Sequence, residues 1–229
     1  MTKNLSRREF ITTTAGAAAA MAIPAISLAG NEKTSSTAAP KQLKSANVLI
    51  IHGSPKVDGN TSELVDVATA FLKENGHTVD RVNIVDEEVS PCIGCMACQE
   101  NAKEIGCIYE DDGTFLLNKI IAADAVIITS PLYFGTFTAV MKPLIDRCFA
   151  LSCGFGTANH TSLVEGKRVM FLSTGGGEYK NNGEILAGSC KDFTHYLKLD
   201  SYDFFYAQST PAVATADKRE LSETMKGFI

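Results

Sequence analysis

Apolar residues in this chain follow two rhythms. Val48-Leu49-Ile50-Ile51, Ala125-Val126-Ile127-Ile128 and Val169-Met170-Phe171-Leu172 are unbroken runs, each stopped within two residues by glycine or serine. Short runs of this kind suit parallel strands buried on both faces. They predict strands over Asn47–His52, Ala125–Thr129 and Arg168–Ser173. Thr78–Ile84 alternates as a further strand, and Tyr202–Tyr206 adds a fifth. Between strands the period lengthens. Leu64, Val65, Ala68, Phe71 and Leu72 recur at helical spacing, predicting a helix over Thr61–Asn75 that is capped by Asn60 or Thr61 and closed by Gly76. Further helices are expected over Gly113–Ala122 behind the cap Asp112, then Thr138–Leu151, Glu184–Leu197 and Lys218–Gly227. Strands alternating with helices specify an α/β fold, a doubly wound parallel sheet. Five strands in about 180 residues favour the order 2-1-3-4-5 over a longer dinucleotide-binding sheet, with ligands outside the carboxyl ends of the strands.

Ahead of the first strand the pattern is different. Ser6-Arg7-Arg8-Glu9-Phe10-Ile11 precedes a mildly apolar stretch from Ala15 to Leu28. Paired arginines before such a stretch match a twin-arginine export signal. Ser27-Leu28-Ala29 supplies a cleavage site, so residues 1–29 are expected to be a signal peptide. Gly16 and Pro24 make the stretch a poor anchor, and no membrane span is expected in the mature chain. Polar residues 30–45 read as a flexible linker, leaving one domain over 46–229. The expected location is the periplasm or another compartment outside the cytoplasm. Cleavage removes three cations and one anion, taking the formal charge from −5 to −7. An acidic mature chain argues against nucleic acid and against anionic membrane as partners.

Three loops at strand ends carry candidate chemistry. Gly53 to Ser62 is rich in hydroxyls and backbone donors and contains Lys56. Amides at a helix N-terminus together with Ser and Thr hydroxyls suit a phosphate monoester. Neither the dinucleotide glycine fingerprint nor the Walker lysine is present, which disfavours pyrophosphate and triphosphate. Ser130-Pro131-Leu132-Tyr133-Phe134-Gly135 brings two aromatic rings to the end of the third strand, where a planar ring system would lie. Ser173-Thr174-Gly175-Gly176-Gly177, after the fourth, would let backbone approach the same ring.

Seven cysteines leave an odd thiol, and four of them, Cys92, Cys95, Cys98 and Cys107, crowd into one short segment over 92–107. Compact spacing of this kind suits a [4Fe-4S] cluster, and zinc or disulfides stay open as alternatives. The twin-arginine route, which carries proteins folded around cofactors in the reducing cytoplasm, weights the choice away from disulfides. Cys148, Cys153 and Cys190 read as small buried residues. Asp111 and Asp112 read as helix caps rather than metal ligands. Lys142 and Asp146 are spaced as an i,i+4 pair, and with Arg147 they suit packing between subunits as well as chemistry. The four histidines receive no role, and no residue stands out as catalytic acid, base or nucleophile.

Taken together, Gly-Ser-Pro followed by Asn60-Thr61-Ser62, the cysteine cluster with Asp111-Asp112, Ser130-Pro131-Leu132-Tyr133-Phe134 and Met141-Lys142-Pro143-Leu144-Ile145-Asp146-Arg147 resemble the NADPH-dependent FMN reductase family of flavodoxin-like proteins. Within that family the chain is similar to iron-sulfur flavoproteins, although the eight residues before Cys107 exceed the usual last gap. The resemblance implies FMN as cofactor, its phosphate held by Ser54, Lys56, Asn60, Thr61 and Ser62. Pro131, Leu132, Tyr133, Phe134 and Gly135, with Ser173, Thr174, Gly175 and Gly176, would contact the isoalloxazine and ribityl parts. Cys92, Cys95, Cys98 and Cys107 would ligate the cluster. It further implies an oxidoreductase exchanging electrons with NAD(P)H, a quinone or an electron-transfer protein, and a homo-oligomer. An exported electron carrier without nicotinamide turnover and a cysteine-rich metal-binding domain remain the other two readings.

Overall fold

The structure is a computed structural model and describes residues 43–100 and 103–229. The expected signal peptide and all but the last three residues of the expected linker lie outside the described residues. Leu43, at the start of the described part, donates its amide to the Ile229 carbonyl at 2.9 Å.

Five parallel strands form one sheet: β1 (Asn47–His52), β2 (Thr78–Asn83), β3 (Ala125–Pro131), β4 (Arg168–Gly175) and β5 (Ser201–Gln208), in the order β2-β1-β3-β4-β5. This is the predicted flavodoxin-like α/β architecture. Side chains alternate across a strand, so each apolar run is divided between two cores. Leu49, Ile51, Val126, Ile128, Val169 and Phe171 face one core, with helix α2 (Asp112–Ala122), helix α3 (Lys142–Arg147) and helix α4 (Glu184–Tyr196) contributing Leu116, Leu144 and Leu186. Val48, Ile50, Ile127, Met170 and Leu172 face the other, against Leu64 and Leu72 of helix α1 (Asn60–Glu74) and Leu221 and Met225 of helix α5 (Thr215–Phe228). Cys148 and Cys190 lie in the first core, and burial pushes the Cys148 thiol up to about 12.

Helix ends differ from the sequence expectation in ways that shape the site. Gly59, not Asn60 or Thr61, sits at the N-cap of α1, and no side chain caps it. The Asn60 amide donates to the Ser209 carbonyl at 3.1 Å instead, and Thr61 Oγ1 bonds Thr174 Oγ1 at 2.8 Å. Asp111, not Asp112, caps α2 by accepting from the Thr114 amide. Thr138–Leu151 is not one helix. Ser130 Oγ accepts from the Thr138 amide while Thr138 Oγ1 donates to the Gly53 carbonyl, which ties residues 138–141 to the strand ends as a turn. The α-helix starts only at Lys142, where Pro143 is tolerated in the first turn, and it ends in a 3-10 segment over Cys148–Leu151. A short antiparallel ladder, Ser152–Cys153 with Thr161–Ser162, follows and was not expected. Among the described residues no helix is long and apolar enough to cross a membrane.

Candidate functional site

The loops after β1, β3 and β4 leave the carboxyl end of the sheet, where the segments following β1, β3 and β5 are each bonded to a neighbouring strand. Gly53 donates its amide to Thr129 O at 2.8 Å, Leu132 to Thr174 O at 2.7 Å, and Ser209 to Gly175 O at 2.8 Å. Ser54, Thr61, Ser62, Ser173 and Thr174 are all buried at this end. Gly59 offers no capping side chain; the Ser62 amide donates to Gly59 O at 2.9 Å, and the Asn60 and Thr61 amides ahead of it receive no side-chain cap. The chain thus leaves its own donors for an anion where the phosphate loop was expected. Lys56 is exposed beside it, and its amide donates to Ser54 Oγ at 3.1 Å. Ser173 Oγ is buried with no partner, a polar atom left available to a ligand.

The ring side of the crevice is built from bare backbone and solvent-facing apolar groups. A Cβ on Gly175 would come within 2.3 Å of the Tyr206 hydroxyl, so only glycine lets β4 end here with Tyr206 donating to Gly177 O at 2.7 Å. Phe134 is fully exposed with φ of 49°, a left-handed conformation uncommon for a bulky residue, and Tyr133 is half exposed. Neither ring is taken up by the core. Strain of this sort collects at ligand clamps.

His52, which the sequence analysis left without a role, organises the loop after β1 from beneath. The ring is fully buried at the end of β1, its Nδ1 2.9 Å from Thr129 Oγ1 and its Nε2 3.0 Å from Ser62 Oγ and 3.3 Å from Lys56 O. A carbonyl can only accept, so Nε2 carries the hydrogen and Nδ1 accepts from the Thr129 hydroxyl. The signal that could have found it is a histidine closing an apolar strand directly before the loop. Burial lowers the His52 pKa despite the Lys56 carbonyl. The unfolded chain takes up the proton near pH 6.5 and the folded one resists it, so stability falls as pH drops below about 6.5 toward the lower folded value. The buried His77 acts in the same sense. His52→Gln is therefore expected to flatten the loss of urea midpoint between about pH 7.5 and about pH 5.5. An unchanged slope would contradict the assignment.

A second centre lies beside α2 and α3. Cys92, Cys95, Cys98 and Cys107 line one partly open cavity together with Arg147 and Phe149. Cys92 and Cys95 are exposed, Cys98 is buried with its thiol pKa raised by desolvation, and Cys107 is intermediate. All seven cysteines are free, and Cys153 Sγ donates to Gln99 O at 2.8 Å. Among the described residues no group of three or more cysteine, histidine or acidic side chains converges closely enough to hold a metal ion. The four thiols therefore share a cavity without meeting at a point. As a donor set they fit soft thiolate coordination, and Met96, with φ of 64°, gives the loop a left-handed turn between them.

Arg147 is not on a subunit-facing surface. Its side chain is 1% exposed and pairs with Asp111 at 2.9 Å, while the expected Lys142–Asp146 pair forms outside it at 2.5 Å. Nη1 also donates to Ser90 O at 3.2 Å and Nη2 to Thr114 Oγ1 at 2.7 Å. Asp111 Oδ2 accepts from the Ser90 amide at 2.8 Å. The pair thus ties the segment entering the cysteine loop to the helix that follows it. Burial alone would raise the Asp111 pKa, but Arg147 and the Ser90 and Thr114 amides hold it well below the usual carboxylate range.

A family model described as NADPH-dependent FMN reductase matches residues 46–183. An iron-sulfur flavoprotein of Methanocaldococcus jannaschii is 38% identical over 131 residues, covering 57% of this chain and 65% of that protein. An iron-sulfur flavoprotein of Methanosarcina thermophila is 37% identical over 101 residues, covering 44% of this chain and 51% of that protein. The matches thus span roughly half to two thirds of these relatives. Among solved structures, an FMN-dependent NADH-azoreductase from Bacillus anthracis in complex with FMN superposes with a TM-score of 0.60 at 17% identity, covering 79% of this chain and 95% of that one. At that identity the likeness bears on the fold alone.

Proposed function

The chain belongs to the NADPH-dependent FMN reductase family, and from that premise we propose that it is an FMN-binding oxidoreductase taking electrons from a nicotinamide and passing them to a quinone or a protein acceptor. The observation that carries the reading is the Thr61 Oγ1–Thr174 Oγ1 bond of 2.8 Å, which joins the first turn of α1 to the carboxyl end of β4. Bound there, FMN would supply two-electron chemistry with a nicotinamide and one-electron chemistry with a cluster. The Asn60 and Thr61 amides at the start of α1 and the Ser54 and Ser62 hydroxyls bind the phosphate, with Lys56 adding charge at the rim. Pro131 to Gly135 and Ser173 to Gly176 orient the ring and keep water from its edge. Asn60 holds the β5 end against the loop.

Cys92, Cys95, Cys98 and Cys107 would hold a [4Fe-4S] cluster, which exchanges single electrons when bound. Four free thiols on one cavity and the similarity to iron-sulfur flavoproteins support this part. Residues 1–29 would direct export by the twin-arginine route. Exposed Tyr133, Phe134 and Ile185 near the ring loops suit cover by a second copy of the chain.

The test is anaerobic purification followed by addition of NADH or NADPH. One FMN per chain whose visible bands bleach with either nicotinamide is the expected result. Bound FMN that dithionite bleaches and nicotinamides do not would replace the reductase by an electron carrier. Failure to bind added FMN would end the proposal.

A further inference from the structure

Arg147 is an unusual residue to bury beside four cysteine side chains. A buried ion pair gains little over well-packed apolar side chains, because desolvation offsets the attraction. Here one hydrogen-bonding group is not even satisfied: Arg147 Nε is buried and has no acceptor. The chain nevertheless makes room for the guanidinium, since a Cβ on Gly113 would lie 2.9 Å from Nη1. The Tyr109 ring, also on the cavity wall, sits 5.0 Å from Cζ. Asp111 balances one positive charge on paper, but it is itself occupied by two backbone amides.

We propose that Arg147 is the charge partner of the cysteine cavity, a positioning residue whose guanidinium offsets an anionic thiolate-bound iron-sulfur group and sets its reduction potential against the opposing charge of Asp111. The inference rests on the reading that the four cysteines hold such a cluster. Four cysteinates carry more negative charge than the iron-sulfide core they would bind neutralises, and the cavity wall is mostly apolar, so an anion there needs a buried cation. One-electron reduction adds a further negative charge with no bond made or broken. A fixed cation favours the reduced form, and a fixed anion disfavours it.

The test is an EPR-monitored redox titration of the anaerobic protein with dithionite, alongside iron and sulfide assays, on wild type, R147Q, R147K and D111N. R147Q is expected to lower the midpoint potential, D111N to raise it, and R147K to stay close to wild type. Opposite shifts from the two partners are something general loosening would not produce. Should R147Q fold poorly, the contrast between D111N and R147K carries the test. Loaded variants whose potentials coincide with wild type, or shift together in one direction, overturn the role of Arg147 alone. A wild type free of iron and sulfide overturns both this inference and the cluster reading.

Discussion

Asp111→Ala is expected to destabilise the fold by about 3–5 kcal/mol, because it strands a buried guanidinium without its counter-charge. The estimate includes about 1 kcal/mol for the lost cap of α2. Three bonds go at once: to Arg147 Nη1 at 2.9 Å, to the Ser90 amide at 2.8 Å and to the Thr114 amide at 3.2 Å. Arg147 then keeps the Ser90 carbonyl, the Thr114 hydroxyl and the face of the Tyr109 ring, none of which carries a compensating carboxylate charge. Urea unfolding followed by circular dichroism measures the loss. A change below about 1 kcal/mol would mean that solvent reaches the pair and screens it. The pH dependence has a definite sign. Asp111 has a depressed pKa in the fold, so its contribution is complete above the unfolded value of about 3.9 and fades as pH falls from there through the lower folded value. Wild type should lose stability across that acid window more steeply than the alanine variant.

Why this pair was invisible in the sequence is a matter of separation. Arg147 meets a carboxylate 36 positions earlier and a carbonyl 57 positions earlier, and no local period reports such contacts. His52 is a parallel case, meeting Thr129 across 77 positions. By contrast, the strands were legible because an unbroken apolar run has few other places to go in a chain that alternates with helices. Their order followed from the count, and the loops that matter followed from the order. Boundaries went wrong where side chains bond backbone outside the helix. Thr138 looked like the first residue of a helix, yet its hydroxyl serves Gly53 O, so the helix waits for Lys142. Asn60 and Thr61 looked like caps, and both turn instead toward residues on or beyond β4. Those two departures favour the site, because side chains that decline to cap leave amides for a ligand.

Cys95→Ser is expected to reduce iron and sulfide to about a tenth of wild type or less while FMN stays bound. A serine hydroxyl remains protonated at neutral pH and is a harder donor than thiolate, so a loop that offers four thiols cannot spare one. Cys95 is the informative choice because it is exposed; away from packed regions such a substitution moves stability by only about 0.5 kcal/mol, and lost iron cannot be ascribed to unfolding. Cys190→Ser is the matched control. Its sulfur is fully buried in the core and stands apart from the cavity wall, so it should cost stability and keep the iron. FMN should survive the Cys95 change because Ser54, Thr61, Ser62 and Thr174 draw their partners from β1 and the loop after it, from α1 and from β4, and from nothing in the cysteine loop. Iron and sulfide assays with a flavin absorption spectrum on the same samples decide the matter. Full iron in Cys95→Ser would remove Cys95 from the ligand set, and flavin lost together with iron would mean that the two centres form one site.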